Sequence, residues 1–243
     1  DEERNRKILE LYLRAQYTQE MIGEIFGIAQ KTVSDILSKN AQMGEMYKDF
    51  SPPLYNIWNL NKQDNATKSH FGSFPLYFMK SLLYYHTEPW DIVFDPFAGG
   101  GTTVDACKDM LRRYYCTDMI VKPGREKDIQ QHDITNGLPN GLPKPDLVFL
   151  DPPYWIQAEG LYSDDPNDFG NMDLWKFYNS IQHLVDSITT WGVKRVALVI
   201  QPTQYKNDFE WEDHIFEINK MLSSEDYIIE MRYILPYSTQ QYN

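Results

Sequence analysis

Cysteine is nearly absent: Cys107 and Cys116 are the only two in 243 residues. Two thiols are too few for a disulfide framework and lack the paired spacing of a metal site, so both read as plain interior residues. Long apolar runs are missing too. No stretch reaches the roughly 18 residues that cross a bilayer, and no basic segment followed by an apolar one opens the chain. The expectation is a cytoplasmic protein with no membrane partner. Positive charge is scarce, with 23 Lys and Arg against 35 Asp and Glu and a formal charge of −12. That balance argues against a protein that coats nucleic acid without regard to sequence, because phosphate binding relies on clustered cations; any such contact must come from local patches. No repeat recurs at periods of roughly 20 to 50 residues, and no segment is low in complexity. An initiator Met is also missing: the chain opens at Asp1 and closes at Asn243 in a polar stretch, which reads as a piece of a longer protein.

What is present is an ordinary folding composition, 42% hydrophobic and 14% aromatic, enough for one substantial core with a small appended module. Within residues 4 to 39, Ile8, Leu9, Leu11 and Leu13, then Met21, Ile22, Ile25 and Phe26, then Val33, Ile36 and Leu37 fall at helical spacing and predict three short helices. Thr18 stands at the distance of an N-cap, and Gly27 closes the second helix. Thr18 to Leu37 resembles a helix-turn-helix, with Gly23 where two helices would cross. In such a module the second helix enters the major groove, which makes Gln30, Lys31, Thr32 and Ser34 the candidate DNA contacts. A trihelical packing or dimerisation unit has the same pattern, and nine acids against seven bases in residues 1 to 50 do not supply the positive surface that would decide between them. The module is assigned residues 1–45 and the remaining domain 46–243. Residues 41 to 69, with Ser-Pro-Pro and Asn-rich punctuation, read as a linker running into an irregular lead-in.

Beyond it the period changes. Ile92 to Asp95 reads as a short buried strand, Thr102 to Leu111 as a helix, and Arg113 to Asp118, Pro145 to Asp151 and Val193 to Ile200 as further strands. Asp173 to Thr190 is an amphipathic helix. Strands alternating with helices imply an α/β fold with a doubly wound, mostly parallel sheet, whose ligands bind beyond the carboxyl ends of the strands.

Two motifs carry chemistry. Val93-Phe-Asp-Pro-Phe-Ala-Gly-Gly-Gly-Thr-Thr103 is a strand ending in an acid that turns through glycines into a helix. The glycines let backbone approach a ligand, and Asp95 can receive a cation or a hydroxyl. Neither the spacing of dinucleotide folds nor the Lys of a phosphate loop is present. Asp151-Pro-Pro-Tyr154 follows a second strand. Two prolines hold the backbone extended and present an acid, a carbonyl and an aromatic face together. Such a turn receives a flat group bearing NH2: Asp151 and the Pro152 carbonyl accept its hydrogens, Pro153 stiffens the turn and Tyr154 stacks on the ring.

In this order the two motifs resemble those of the amino-methylating DNA methyltransferases, which make N6-methyladenine or N4-methylcytosine. The resemblance runs over about residues 50 to 240 and includes, more loosely, His70-Phe-Gly-Ser-Phe-Pro75. It implies a Rossmann-like fold and S-adenosylmethionine as cofactor. Asp95, Pro96, Phe97, Gly99, Gly101 and Thr102 would surround its methionine portion, with Phe74 and Pro75 packed over that end. Asp118 would bind the ribose hydroxyls and Asp133 would lie near the adenine amino group. Bland readings stand beside these, a strand-end cap for Asp118 and a surface turn for Asp133; His132 reads as structural.

The implied reaction is direct transfer of the methyl to an exocyclic amine of a base flipped out of the duplex, with no metal and no covalent enzyme intermediate. Adenine N6 is the expected acceptor, since Asp opens the second motif where many cytosine enzymes carry Ser. Alternatives are an N4-cytosine enzyme, an RNA base methyltransferase, or a helix-turn-helix regulatory or partition protein on an inactive scaffold. Dimerisation on a palindrome would suit the helix-turn-helix. Only 89 residues follow Tyr154, little room for a separate target-recognition region, so that task would fall to the N-terminal module or to residues outside this chain. The loop from Trp155 to Asp173 holds five acids and no Lys or Arg, which predicts that it covers the flipped base or contacts protein rather than following phosphates.

Overall fold

The computed structural model describes residues 1–41, 50–59, 74–156, 159–204 and 211–236. Helical spacing at the N-terminus produces α1 (Glu2–Leu13), α2 (Gln19–Phe26) and α3 (Gln30–Asn40). The Thr18 side chain accepts from the Met21 N–H, and Gly27 closes α2 at φ 64°, the left-handed region where glycine costs least. Ile8, Ile22, Val33 and Leu37 make the buried centre of this unit. Gly23 is demanded by packing: a Cβ there would stand 2.8 Å from the Ile28 carbonyl oxygen. Gln30, Lys31 and Thr32 are exposed and Ser34 is half-buried.

The α/β part continues with α4 (Leu76–His86), β1 (Ile92–Asp95), α5 (Thr102–Met110), β2 (Arg113–Asp118), β3 (Ile129–Gln131), β4 (Leu147–Leu150), α6 (Leu174–Thr190), β5 (Val196–Leu198), the short strands β6 (Thr203–Gln204) and β7 (Trp211–Glu212), and α7 (His214–Ser224). Five strands form one sheet in the order β3-β2-β1-β4-β5, and every neighbouring pair is parallel. Apolar side chains cover both faces. Phe78, Met79, Leu82 and Leu83 of α4 and Val104, Cys107 and Met110 of α5 pack on one, while Phe177, Ile181, Leu184, Val185 and Ile188 of α6 and Ile218 of α7 pack on the other. This is the doubly wound, Rossmann-like architecture that alternating strands and helices predict. Among the described residues no helix is long and apolar enough to cross a membrane.

Two strands are shorter than their apolar runs. The Asp146 carboxylate accepts from the Ile92 N–H at 2.8 Å, so β4 begins after it. Gly192, at φ 73°, and the Val193 N–H bonded to the Ile188 carbonyl belong to the end of α6, so β5 starts late. Both thiols are buried. Part of the expected linker is structural: Trp58 is buried, its ring centroid lies 4.1 Å from that of Tyr233, and its backbone N–H donates to the Ile234 carbonyl.

The three-helix unit is fastened to the amino ends of the central strands. The Arg113 guanidinium, where β2 begins, donates to the carbonyls of Tyr12, Ala15 and Tyr17. The Ala15 N–H donates to the Tyr114 carbonyl, Arg14 reaches Asp128, and Tyr12 packs on Trp90. Gly23→Ala should therefore destabilise the protein by about 1–3 kcal/mol, the range for overpacking a tight contact, measured as a lowered urea midpoint at unchanged slope.

Candidate active site

In the sheet order, β2 and β3 lie to one side of β1 while β4 and β5 lie to the other. The order in which strands are added thus reverses between β1 and β4, and the crevice beyond their carboxyl ends is where open parallel sheets bind ligands. Asp95 ends β1, Asp118 ends β2 and Asp151 follows β4 directly.

Asp95 is buried. Its Oδ1 accepts from the Phe97 N–H at 2.9 Å and its Oδ2 from the Thr103 hydroxyl at 2.5 Å. Burial pushes its carboxyl up to about 7, against the lowering by these two donors, and Asp118 raises it further. The turn between those partners passes Gly99 at φ 50° and Gly101 at φ 87°. At Gly101 a Cβ would strike the Arg125 side chain at 2.8 Å, and Arg125 is itself held across the turn by a paired bond to the Asp105 carboxylate at 2.7 and 2.6 Å. Sequence reading missed Arg125 because no short motif contains it. Pro96 is buried, Phe97 stands edge-on to Phe169, and the Thr102 hydroxyl is 3.4 Å from the Phe74 carbonyl oxygen. Phe74 stacks against Phe78, and Pro75 is the N-cap of α4. His70 to Ser73 lie outside the described residues.

The Asp118 carboxylate ties the turn to β2, accepting from the Gly99 N–H at 2.7 Å and the Ile120 N–H at 2.9 Å. Burial raises its pKa while those two amides oppose the shift. Asp133 caps a short 3₁₀ turn: its Oδ1 accepts from the N–H and hydroxyl of Thr135 and its Oδ2 from Asn136 and, across the crevice, Asn167. His132 bonds the Gly137 carbonyl. Three of the five acids of the loop after Tyr154 are occupied likewise. Asp168 accepts from the Gly170 N–H and the Ser163 hydroxyl, Asp165 from the Asn167 N–H, and Asp173 caps α6 through the Lys176 N–H. Their charge shapes the loop rather than standing free.

Asp151 lies beside Asp95. Burial lifts its pKa well above the carboxylate range, the Asp95 charge adds to that, and the Tyr154 hydroxyl, 3.5 Å from Oδ1, opposes it. Pro152 is buried and Pro153 and Tyr154 are half-buried. Three carboxyls at neighbouring strand ends, two of them mutually repelling, make a site that gains most from a cation or from hydroxyl and amino donors. Two cavities of about 450 and 610 Å³ lie elsewhere, along β3 and between the Leu138–Leu142 loop and α6.

Residues 10–122 match the model of a family described as DNA methylase. Over those residues the chain is similar to this family. The match takes in the helical unit from within α1, the glycine turn and Asp118, and stops short of Asp151. The chain is also similar to type II methyltransferase M.XycI of Xanthomonas campestris pv. cyanopsidis, 39% identical over 59 residues, 24% of this chain and 19% of that protein. Type II methyltransferase M.Cfr9I of Citrobacter freundii is 36% identical over 58 residues, again 24% of this chain and 19% of the relative. The aligned part is thus about a fifth of each relative's length.

The buried acid at the end of β1 has a measurable signature. Asp95 holds its proton to about pH 7 when folded but releases it near 3.9 when unfolded. Between those values the native state binds more protons, so this residue makes stability fall as pH rises from about 4 to about 7. Asp95→Asn should lose that component, and its melting temperature should decline less steeply across the window in a calorimetric pH series; an unchanged slope would mean the carboxyl is ionised throughout.

Proposed function

We propose that the chain transfers a methyl group from S-adenosylmethionine to an exocyclic amine of a base in DNA, adenine N6 being the acceptor. The observation that carries this reading is the meeting of Asp95, Asp118 and the Asp151-Pro-Pro-Tyr154 turn at the reversal of strand order, in a chain whose residues 10–122 match a DNA methylase family. The residues suit the cofactor. The buried Asp95 and half-buried Asp151 carboxyls favour a cation, the glycine turn leaves backbone uncovered by side chains, and Asp118 retains lone pairs for hydroxyls while accepting two amides. Asp95, Pro96, Phe97, Gly99, Gly101 and Thr102 would hold its methionine end with Phe74 and Pro75, Asp118 the ribose, and Asp133 the adenine edge.

When bound, S-adenosylmethionine supplies an electrophilic methyl. The chain's own task is to present the nitrogen. An exocyclic amine is weakly nucleophilic because its lone pair is delocalised into the ring. Hydrogen bonds from its two hydrogens to the Asp151 carboxylate and the Pro152 carbonyl favour the tetrahedral nitrogen, and Tyr154 holds the ring by stacking. A cation bound beside Asp151 would lower its pKa and let its proton pass to solvent, and the carboxylate left behind only accepts, as the amine hydrogens require. Positioning supplies most of the acceleration, and a base in duplex is first extruded at a cost of a few kcal/mol. In this reading α3 meets DNA through Gln30, Lys31, Thr32 and Ser34, as one unit of a dimer, and residues 1–45 and 46–243 divide recognition from chemistry.

Labelled S-adenosylmethionine incubated with unmethylated genomic DNA, followed by nucleoside mass analysis, tests the reaction. Label in N6-methyladenine supports the proposal, label in N4-methylcytosine corrects the base, and label in neither overturns it. Asp151→Ala should abolish transfer while calorimetry shows cofactor affinity nearly unchanged. Asp118→Ala should weaken that affinity by about 1–3 kcal/mol, the scale for hydroxyls left without partners.

A further inference from the structure

Behind the Asp151–Tyr154 turn runs a row of polar side chains from four different elements, with Thr203 and His214 buried and Tyr178 and Glu212 half-buried. The Tyr178 hydroxyl (α6) lies 2.5 Å from Glu212 Oε1 (β7) and 2.9 Å from His214 Nδ1 (α7). His214 Nε2 lies 3.0 Å from the Thr203 hydroxyl (β6), and that hydroxyl is 3.5 Å from the carbonyl oxygen of Trp155, the residue after Tyr154. The directions follow from proton counting. A carboxylate only accepts, so the single Tyr178 proton goes to Glu212, and the Tyr178 oxygen accepts from His214 Nδ1–H. Nε2 is then the acceptor and draws the Thr203 proton. Burial holds His214 below the ordinary imidazole range, opposed by Glu212 and Asp213, which agrees with a neutral ring.

Trp155 is gripped from two sides: its indole N–H donates to the Met172 carbonyl at 2.9 Å, and its ring stands edge-on, at 5.8 Å and 78°, to His214, whose own ring is oriented by the Thr203 hydroxyl at Nε2. A residue held this way fixes where the preceding Tyr154 ring and Asp151 carboxyl can point. We propose that His214 and Thr203 are positioning residues for the Asp151–Tyr154 turn, acting through Trp155 rather than on substrate. The proposal rests on the methyltransferase reading for its kinetic consequence, though not for its hydrogen-bond geometry.

Thr203→Val keeps the shape and removes the hydroxyl; Thr203→Ser keeps the hydroxyl. In the full chain Thr203→Val should lower kcat for methyl transfer by about 10- to 100-fold, the scale for a small misplacement of a reacting group. KM for S-adenosylmethionine should stay within about twofold, and Thr203→Ser should recover most of kcat. Unaltered kcat in Thr203→Val, or a loss that Thr203→Ser fails to recover, overturns the proposal. If the unsubstituted chain methylates no DNA, the functional reading fails by itself and nuclear magnetic resonance decides the positioning. An Nδ1–H tautomer at His214, with a Trp155 indole resonance that moves in Thr203→Val, supports the proposal. An Nε2–H tautomer or an unmoved indole overturns it.

Discussion

The carboxyl of Asp95 holds the site together. It is buried at the end of a central strand and anchors the start of the turn through the Phe97 amide and the start of α5 through the Thr103 hydroxyl. A buried acid is costly unless its oxygens find donors, and here the donors are the two ends of the loop that must be shaped. Burial, reinforced by the charge of this group, keeps its neighbour Asp151 from ionising easily. One side chain thereby fixes the geometry of the glycine turn and adds to the negative electrostatic character of the crevice.

A second buried charge has the opposite solution. Arg112 is 1% exposed, and its guanidinium donates to the Thr87 hydroxyl and to the carbonyls of Leu83, Thr87 and Met110. Those carbonyls belong to the ends of α4 and α5, where helices leave acceptors unsatisfied and the macrodipole favours a cation. Arg112 therefore clamps the two helices that cover one face of the sheet, and it does so behind the strand that leads into the Asp118 end.

The features legible in the sequence are those whose partners are close along the chain. Thr18 and Gly27 bound α2 as their residue types predict, Ile92 to Asp95 is the expected strand, and both motifs fall at strand ends. Elements written in weaker or mixed patterns escaped: α4, whose Leu76 to His86 run is apolar on several sides, the three-residue β3, the β6 and β7 pair, and α7. The contacts that complete the site escaped for a different reason. Arg125 meets Gly101, Asn167 meets Asp133, and His214 meets Tyr178 only because the fold superposes segments that periodicity treats separately. Trp58 read as part of a linker because the aromatic partner that buries it, Tyr233, lies at the other end of the chain. Side-chain roles at the strand ends depend on such superposition, so pattern alone nominated the acids without showing which of their oxygens were already taken.

The attachment of α1 to the beginning of β2 has a geometric corollary. The Asp118 end of that strand is five residue steps away, about 17 Å at the usual rise per residue. The three helices ride on the floor of the sheet while the acids line its rim, and hydrogen bonds from Arg113 and Ala15 join the two directly. Any macromolecule gripped at the floor is therefore offered to the rim at a fixed offset, like a workpiece in a jig, and only a surface long enough or bent enough to span the strands can engage both ends of one molecule.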